Sequence, residues 1–342
     1  MVVINPLEYA DWDSLVATHV QSSFFEGAAW AQVLNETYGH RPNYFCEISD
    51  GRLHRLLPCM EVSSAVTGRR GVSLPFSDFC GPLSEDGSVK PLFEAAMEYG
   101  RERKWRYLEC RNHCDDWSSE RAASLTFHGH VIELECGEDE LFKRLDGAVR
   151  RGIRKAESEG LRVDFSTSPE AVSEYFTLHC LTRRRHGLPP QPFRFFRNIA
   201  RYTLARGHGF VATARLGQKP LAASLFFHSG SEAIYKFGAS DYAFQKMRPN
   251  NLVMWEAIKR CAASGLARLH LGRTSLGNEG LRQFKLGFGA REERIEYRKY
   301  DFTKRAFVTS KERSEGWFNR VFRSLPLPAL RLAGEVLYPH LS

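Results

Sequence analysis

A short segment near the carboxyl end places one lysine among apolar residues and glycines. The run Phe284-Lys285-Leu286-Gly287-Phe288-Gly289 lies in a predicted helix. A cation acts strongly in apolar surroundings because the local dielectric constant is low. Transfer of an acyl group to an amine needs such a charge, since an oxyanion develops on the attacked carbonyl. Lys285 is therefore a candidate catalytic residue, although this segment taken alone favours an ordinary surface lysine.

Two predicted strand ends carry further polar residues. Asp241 follows the strand EAIYKFGAS, where its carboxylate could accept the proton of the amine. Aspartate after a strand is usually a turn residue, which is the alternative interpretation. Arg273 and Thr274 end the strand that contains LHLG. Arginine there suits binding of phosphate or carboxylate, or it is a capping or solvated residue.

The segment RPNNL forms a polar, basic strand-to-helix junction. The first N–H groups of a helix have no partner within the helix, and they bind anions together with the helix dipole. Asn250 and Asn251 also suit capping, and both roles can hold at once. The predicted substrate-binding residues are Arg248, Asn250, Asn251, Arg273, Thr274 and Phe284.

A second helix carries a dense basic patch, formed by Arg150, Arg151, Arg154 and Lys155. Such a patch could contact tRNA or a lipid-linked pyrophosphate. A solvated helix face is the alternative. Aromatic residues are not interleaved with these charges, so stacking on bases is not indicated.

The elements that must position these residues occur twice along the chain. Each half has a glycine turn between two strands, at Gly51 and at Gly217, followed by a helix and another strand. The pattern predicts an α+β fold with two similar domains, each a mixed, largely antiparallel sheet flanked by helices. The predicted domains are 1–128 and 129–310, followed by an apolar and basic tail at 311–342.

Composition narrows the class of protein. The 342 residues carry a net charge of +8, which favours anionic partners. The eight cysteines include no Cys-x-x-Cys pair, and the cluster Cys110, His113 and Cys114 lacks a second ligand pair, so no metal site is predicted. No signal peptide and no membrane span are expected, which predicts a cytoplasmic location. Nucleotide-binding, zinc-protease and serine-hydrolase motifs are absent.

The tail EGWFNRVFRSLPLPALRLAGEVLYPHL mixes apolar residues with arginines and three prolines. It predicts a terminal helix packed on the body of the protein. A segment at the membrane surface is the alternative, which the prolines disfavour because they break the helix into short pieces.

Taken in order, several of these segments resemble the FemAB family and its relatives, the Fem-like GNAT acyltransferases. The segments are RRGIRKAESEGLRV, RPNNLVMWEAI, LHLGRT and GLRQFKLGFGA, with HRPNYF and SLPFSDFCGPL in the first half. The resemblance runs from about Phe24 to Tyr300. It implies two tandem GNAT-like domains and transfer of an acyl or aminoacyl group to an amine. It also implies a peptidoglycan or polysaccharide precursor as acceptor.

The resemblance leaves the donor open. The helical arm of several members that use aminoacyl-tRNA is missing, and so is the usual acetyl-CoA signature. Arg248-Pro-Asn250-Asn251-Leu252 stands at the corresponding helix start. We therefore expect no bound cofactor and either aminoacyl-tRNA or acyl-CoA as donor substrate. The alternatives are an acyl-CoA-dependent N-acyltransferase and a non-catalytic GNAT-like module that binds a polyanionic polymer or lipid. Peripheral contact with the inner face of the membrane is also expected.

Overall fold

The computed structural model describes residues 1–19, 21–112, 123–310 and 316–341, apart from the side chain of Trp317. Its helices are α1 (Trp12–Ala17), α2 (Ala28–Tyr38), α3 (Lys90–Glu102), α4 (Glu138–Arg144), α5 (Gly147–Ser158), α6 (Pro169–Arg185), α7 (Phe193–Tyr202), α8 (Pro249–Ala263), α9 (Glu279–Leu286), α10 (Trp317–Ser324) and α11 (Leu327–Leu337). Short 3-10 turns include Tyr242–Met247 and Tyr338–His340.

The strands are β1 (Val2–Ile4), β2 (Arg41–Pro42), β3 (Tyr44–Ser49), β4 (Arg52–Leu57), β5 (Met60–Ser64), β6 (Gly68–Val72), β7 (Leu83–Ser84), β8 (Tyr107–Arg111), β9 (Leu125–Glu133), β10 (Arg162–Ser166), β11 (Gly209–Leu216), β12 (Lys219–Ser229), β13 (Glu232–Ser240), β14 (Arg268–His270), β15 (Thr274–Ser275), β16 (Arg291–Asp301) and β17 (Ala306–Phe307).

The chain divides into two compact units. The first unit comprises Met1–Phe127, Arg294–Glu312 and Leu337–Ser342, and the second comprises His128–Glu293 and Arg313–Val336. The first division falls one residue from the boundary drawn from the sequence. Residues 294–310, predicted as part of the second domain, belong instead to the first unit. The reason is that β16 pairs with β8, from Tyr297 opposite Arg111 to Asp301 opposite Tyr107.

The first unit contains two sheets. One has the strand order β1-β3-β4-β7 and is antiparallel throughout. The other has the order β2-β5-β6-β8 followed by residues 294–301 of β16, and only its β6–β8 pair is parallel. Helix α3 packs on the second sheet through Phe93 and Leu92, which contact Leu108 and Cys110 in one buried cluster.

The second unit is built on the strand order β10-β11-β12-β13-β14, ending with residues 128–133 of β9. Only the β13–β14 pair is parallel, and α8 connects its two strands. In the first unit, α3 likewise lies between the two parallel strands β6 and β8 along the chain and leads into β8. The expected α+β class with largely antiparallel sheets is confirmed. The equivalence of the Gly51 and Gly217 turns stays a prediction.

Helix α8 begins where the sequence favours a helix start. Arg248 has a left-handed backbone with φ of 59°, and Pro249 follows as the first helical residue. Proline suits this position because its φ is already helical and its missing N–H would have no partner there. Leu252, Trp255 and Ile258 then bury one face of α8 in the core of the second unit.

The tail forms α10 and α11, and residues 316–336 pack on the second unit. Leu330 is fully buried, and Asn319 Nδ2 donates to the His186 carbonyl at 3.4 Å. Gly334 lies so close to the Pro190 carbonyl that a Cβ atom would come within 2.0 Å of the oxygen. The packed terminal helix that the sequence favours is therefore present, although Phe318 and Leu332 keep exposed side chains.

No helix in the described part of the chain is long and apolar enough to cross a membrane. The seven cysteines within the described residues are free thiols. Those residues also contain no group of three or more His, Cys, Asp or Glu side chains that could hold a metal ion. His113 and Cys114 of the cluster noted in the sequence lie outside the described residues.

Candidate functional site

The parallel strands β13 and β14 of the second unit separate after a short paired stretch. They pair from Glu232 opposite Arg268 to Ile234 opposite His270. β13 then continues to Ser240, paired with β12 on its other side. Ser240 N–H and C=O both bind Thr182 Oγ1, at 2.9 and 3.1 Å. In an antiparallel strand, the N–H and C=O groups of residues two positions apart point to the same side. The N–H and C=O groups of Gly238 therefore point to the edge of β13 that β14 does not cover.

The start of α8 lies at the carboxyl end of β13. Asn250 Nδ2 donates to Ser240 Oγ at 3.2 Å, which ties the first turn of the helix to the strand end. Arg248 is exposed immediately before the helix, and Asn250 and Asn251 are half-buried in its first turn. Pro249 has no N–H, and the N–H groups of Asn251 and Leu252 donate to the Arg248 carbonyl at 3.1 and 3.4 Å. The Asn250 N–H and the positive end of the helix dipole therefore lie at the end of β13.

Lys285 lies at the carboxyl end of β14. Its side chain is only 2% exposed. The Nζ atom donates to the carbonyl oxygens of Gly272 at 2.9 Å and of Arg273 at 3.0 Å. The alternative of a surface lysine is therefore wrong, because α9 turns this side chain inward beneath the segment that follows β14. A buried ammonium is thus held next to Arg273 and Thr274.

The segment after β14 is fixed from a second side by a histidine. His270 Nε2 lies 3.0 Å from Glu293 Oε1, and His270 Nδ1 accepts a hydrogen bond from the Gly272 N–H at 2.9 Å. Gly272 has a φ of 71°, a left-handed conformation that favours glycine. Its N–H binds His270 and its C=O binds Lys285, so the position of the Gly272 backbone is set by both side chains.

Two further histidines near Lys285 were missed by the sequence analysis. His128 Nδ1 lies 3.1 Å from Glu292 Oε1, and His130 Nε2 lies 3.5 Å from Glu292 Oε2. His130 is fully buried. Burial first, and then the charge of Lys285, lower the pKa of His130 to about 4. The spacing of His128 and His130 in HGHVIE, which places both on one face of a strand, was the available signal.

The basic patch lies on α5, which packs on the first turn of α8. A Cβ atom at Gly152 would come within 3.1 Å of the Asn251 amide group. Arg151, Arg154 and Lys155 are exposed, and Arg150 is half-buried. The structure therefore brings the α5 backbone to the candidate anion site at the start of α8. Arg154 also lies over the Phe142 ring at 5.8 Å, an aromatic neighbour that the sequence analysis did not foresee.

Two predicted site residues have evident structural roles. Asp241 Oδ1 accepts a hydrogen bond from the Ala243 N–H at 3.0 Å and so caps the 3-10 turn that follows β13. Phe284 is half-buried and its ring packs edge-on against Phe288 at 5.1 Å. Thr274 is buried, and its Oγ1 has no hydrogen-bond partner among the described residues. Roles of Asp241, Phe284 and Thr274 toward a substrate stay predictions.

The second unit thus places positive groups at two points: the Lys285 ammonium beside the Gly272 and Arg273 carbonyls after β14, and the first turn of α8 beside Ser240 at the end of β13. Arg273 itself is half-buried. This set can bind a phosphate or carboxylate and can stabilise an oxyanion, because each group presents donors or positive charge in a partly desolvated region. His130 adds no positive charge at neutral pH, since its pKa is about 4.

Comparison with known proteins places this site in a recognised domain. Residues 143–286 match the family model described as an acetyltransferase (GNAT) domain. That range includes every residue predicted for the site. None of the curated proteins compared with the chain matches it in sequence.

Several solved structures share the fold. FemX is 14% identical, covers 88% of this chain and 97% of its own, and has a TM-score of 0.70. The C-terminal DUF2156 domain of a putative lysylphosphatidylglycerol synthetase from Agrobacterium fabrum is 14% identical, with a TM-score of 0.55, over 83% of this chain and 90% of its own. A tandem GNAT protein from the clavulanic acid biosynthesis pathway is 11% identical, with a TM-score of 0.55, over 88% and 97%. The chain therefore has the Fem-like tandem GNAT fold, and its residues 143–286 match the acetyltransferase (GNAT) domain model.

Proposed function

We propose that the protein is an acyltransferase that moves an activated acyl or aminoacyl group onto an amine of a cell-envelope precursor. The observation that carries the proposal is the buried ammonium of Lys285, held by the Gly272 and Arg273 carbonyls at the open end of β13 and β14. The GNAT family match over 143–286 and the Fem-like fold support transferase chemistry.

In the proposed reaction the acceptor nitrogen attacks the carbonyl carbon of the donor ester or thioester. A negative charge develops on the carbonyl oxygen, and the positive field of Lys285 lowers the energy of that state. The tetrahedral intermediate then collapses, the acyl–nitrogen bond is kept and the alcohol or thiol of the donor leaves. The proton lost by the amine passes to a base, for which Asp241 at the end of β13 is the candidate, and from that base to the leaving oxygen or sulfur as its bond to the acyl carbon breaks.

The proposed site has groups that suit binding of a phosphate of the donor. The first turn of α8 and Arg273 supply N–H donors and charge for a phosphate of either donor, aminoacyl-tRNA or acyl-CoA. The exposed basic residues of α5 adjoin this turn through the Gly152–Asn251 contact. A charged helix beside the anion site favours a long polyanion, so aminoacyl-tRNA is the proposed donor.

The proposed acceptor is a peptidoglycan or polysaccharide precursor with a free amine. One structural neighbour is titled as FemX and another as a putative lysylphosphatidylglycerol synthetase. A lipid-linked acceptor would be met at the inner face of the membrane. The exposed Phe318 and Leu332 of the tail offer apolar contacts for such a surface.

An acyl-CoA donor is the second candidate, because a specific feature favours it. The backbone of Gly238 lies on the edge of β13 that β14 leaves open, and an extended donor could pair with an edge of this kind. The family model that matches residues 143–286 is also described as an acetyltransferase.

A transfer assay distinguishes the two donors. The protein is mixed with amine-bearing peptidoglycan precursors and with labelled aminoacyl-tRNA or labelled acetyl-CoA, and transferred label is measured. We expect label from aminoacyl-tRNA, and we expect tRNA affinity to fall steeply as salt rises, because neutralised phosphates release counterions. Transfer from acetyl-CoA alone would assign the second candidate. Binding of tRNA without transfer from either donor, unchanged by Lys285→Met, would support a non-catalytic binding module instead.

A further inference from the structure

The first unit contains a basic cavity of about 700 Å³ that the proposed reaction does not use. Its volume is that of a typical small-molecule site. The cavity is lined on several sides by Arg70, Arg106, Tyr107, Lys299, Lys304 and His340. It lies at the amino end of the parallel β6–β8 pair, whereas the candidate site of the second unit lies at the carboxyl ends of β13 and β14.

Strand register explains why the cations meet there. Gly71 pairs with Leu108, so Arg70 lies beside Tyr107 on the neighbouring strand. Tyr107 in turn pairs with Asp301, two residues from Lys299. Side chains alternate between the faces of a sheet, so these four share one face. Leu108 and Cys110 of β8 occupy the opposite face, where they pack under α3.

The charges of the cavity are strongly unbalanced. Arg70, Arg106, Lys299 and Lys304 contribute four positive charges, and Asp301 is the one acid among the lining residues. Asp301 Oδ1 is already bound by the N–H groups of Thr303 and Lys304, at 2.9 and 3.0 Å. In the described residues, none of Arg106, Lys299 and Lys304 forms an ion pair with an acid. Lys299 instead contacts the Tyr107 ring, with Nζ 3.5 Å from the centroid.

Burial of the charge costs most free energy at Arg70, because this residue is only 2% exposed. Burial lowers the pKa of its guanidinium most, Tyr107 and the Glu109 carboxylate raise it, and the charges of Arg111 and Arg106 lower it further. Its Nη1 donates to Thr67 Oγ1 at 2.6 Å and its Nη2 to the His340 carbonyl at 2.8 Å. The carboxylate of Glu109 also accepts from Arg111 Nε at 3.0 Å.

We propose that this cavity binds a small, soluble phosphate-bearing molecule, whose anionic group lies among Arg70, Lys299, Lys304 and Arg106. Phosphate fits because its oxygens can accept several charge-assisted hydrogen bonds at once, from guanidinium and ammonium donors. The hydroxyls of Thr67, Thr303 and Ser310 on the cavity wall add neutral donors. The volume of the cavity, about 700 Å³, suits a small molecule.

The test measures binding of inorganic pyrophosphate to the full chain by titration calorimetry. We expect saturable binding that weakens about tenfold in Lys299→Met and again in Lys304→Met, because each variant removes a charge-assisted contact. The matched control is Lys90→Met, which removes the same charge from an exposed residue of the same unit outside the cavity. We expect the control to bind like the unaltered protein.

Three outcomes would overturn the proposal. They are absence of pyrophosphate binding, equal weakening by Lys90→Met and Lys299→Met, and binding of phosphatidylglycerol vesicles but not of pyrophosphate or glycerol 3-phosphate. Lys299 is half-buried and Lys304 is exposed, so their variants are expected to fold, and thermal melting checks this. Donor binding in the second unit is measured on the same variants. Loss of pyrophosphate binding with unchanged donor binding separates this proposal from the proposed transfer function.

Discussion

At the scale of the residue, Lys285 combines a structural role with a proposed chemical one. Its Nζ satisfies two backbone carbonyls, those of Gly272 and Arg273, while its charge is buried. The carbonyls hold the ammonium in one place, and a fixed charge stabilises a developing oxyanion better than a mobile one. The same contacts mean that loss of the lysine affects both the fold and the reaction.

We expect Lys285→Met to lower the transfer rate about 100- to 1000-fold, since removal of one preorganised electrostatic group typically has that effect. It should also lower the stability by about 1–3 kcal/mol, because two buried carbonyls lose their donor. Turnover is measured at a temperature where melting curves show the variant folded. Lys90→Met, at an exposed position of α3 in the first unit, serves as the control for loss of charge. Near-normal turnover in folded Lys285→Met would refute the catalytic role.

Asp241 allows its capping role to be separated from its proposed role as a base. Asparagine caps helices as well as aspartate does, so Asp241→Asn should keep the bond to the Ala243 N–H and the melting temperature. If the carboxylate accepts the amine proton, the rate should fall about 100-fold or more. A rate equal to that of the unaltered protein would leave Asp241 as a turn residue only.

At the scale of the element, the packing of α5 on α8 depends on one glycine. Gly152 lies in the middle of α5, where glycine destabilises a helix by about 1 kcal/mol relative to alanine. A Cβ atom at this position would lie 3.1 Å from the Asn251 amide group, so the Asn251 side chain would have to shift by a few tenths of an ångström. The basic helix and the candidate anion site are thus joined by a contact that tolerates little added volume.

We expect Gly152→Ala to lose the usual gain in helix stability and to weaken donor binding several-fold, because the new methyl group displaces Asn251 in the first turn of α8. Adding Asn251→Ala should relieve the contact and raise the melting temperature above that of Gly152→Ala alone. Asn251→Ala by itself is the control. A melting temperature that rises in Gly152→Ala with unchanged donor affinity would contradict the expected contact.

Much of the second unit could be predicted from the sequence, because its signals are local. The Gly217 turn and the helix start at Pro249 are each encoded within a few residues. The segment FKLGFG alone favours a surface lysine, and only the family resemblance indicated a role for Lys285. The contacts of His128 and His130 with Glu292 join residues more than 150 positions apart, and nothing in either segment alone reveals them. The pairing of β16 with β8 also joins segments that lie far apart in the sequence, so the pairing and the basic cavity that it forms could not be predicted.

At the scale of the whole molecule, three buried histidines make stability sensitive to acid. The pKa values of His40 and His179 are lowered to about 3 and that of His130 to about 4, in each case mainly by burial. His179 is held neutral between Tyr175 Oη at 3.1 Å and Gln191 Oε1 at 2.9 Å. Unfolded chains bind these protons near pH 6.5, so the folded state is disfavoured as the pH falls below that value.

We expect the melting temperature to fall between pH 6.5 and about pH 4, and to be little affected by these groups above pH 6.5. Each fully neutral buried histidine contributes about 1.4 kcal/mol per pH unit in that window. His179→Gln should therefore reduce the slope of melting temperature against pH. Thr177→Ala, at an exposed position of the same helix with no titratable group, should leave the slope unchanged. Equal slopes for His179→Gln and the unaltered protein would refute the assignment.

The division of the first unit has a consequence for the order of folding during synthesis. β8 finds its partner in residues 297–301, and the buried Arg70 finds an acceptor in the His340 carbonyl. Domains generally fold as their chains emerge from the ribosome, at about 5–20 residues per second. The first unit, although its synthesis begins first, must therefore wait on the order of 10 to 30 s for β16 while the second unit is made. In a released chain that ends after Glu293, β8 lacks residues 297–301 of β16, so protease should cleave β6 and β8 there and spare them in the full chain.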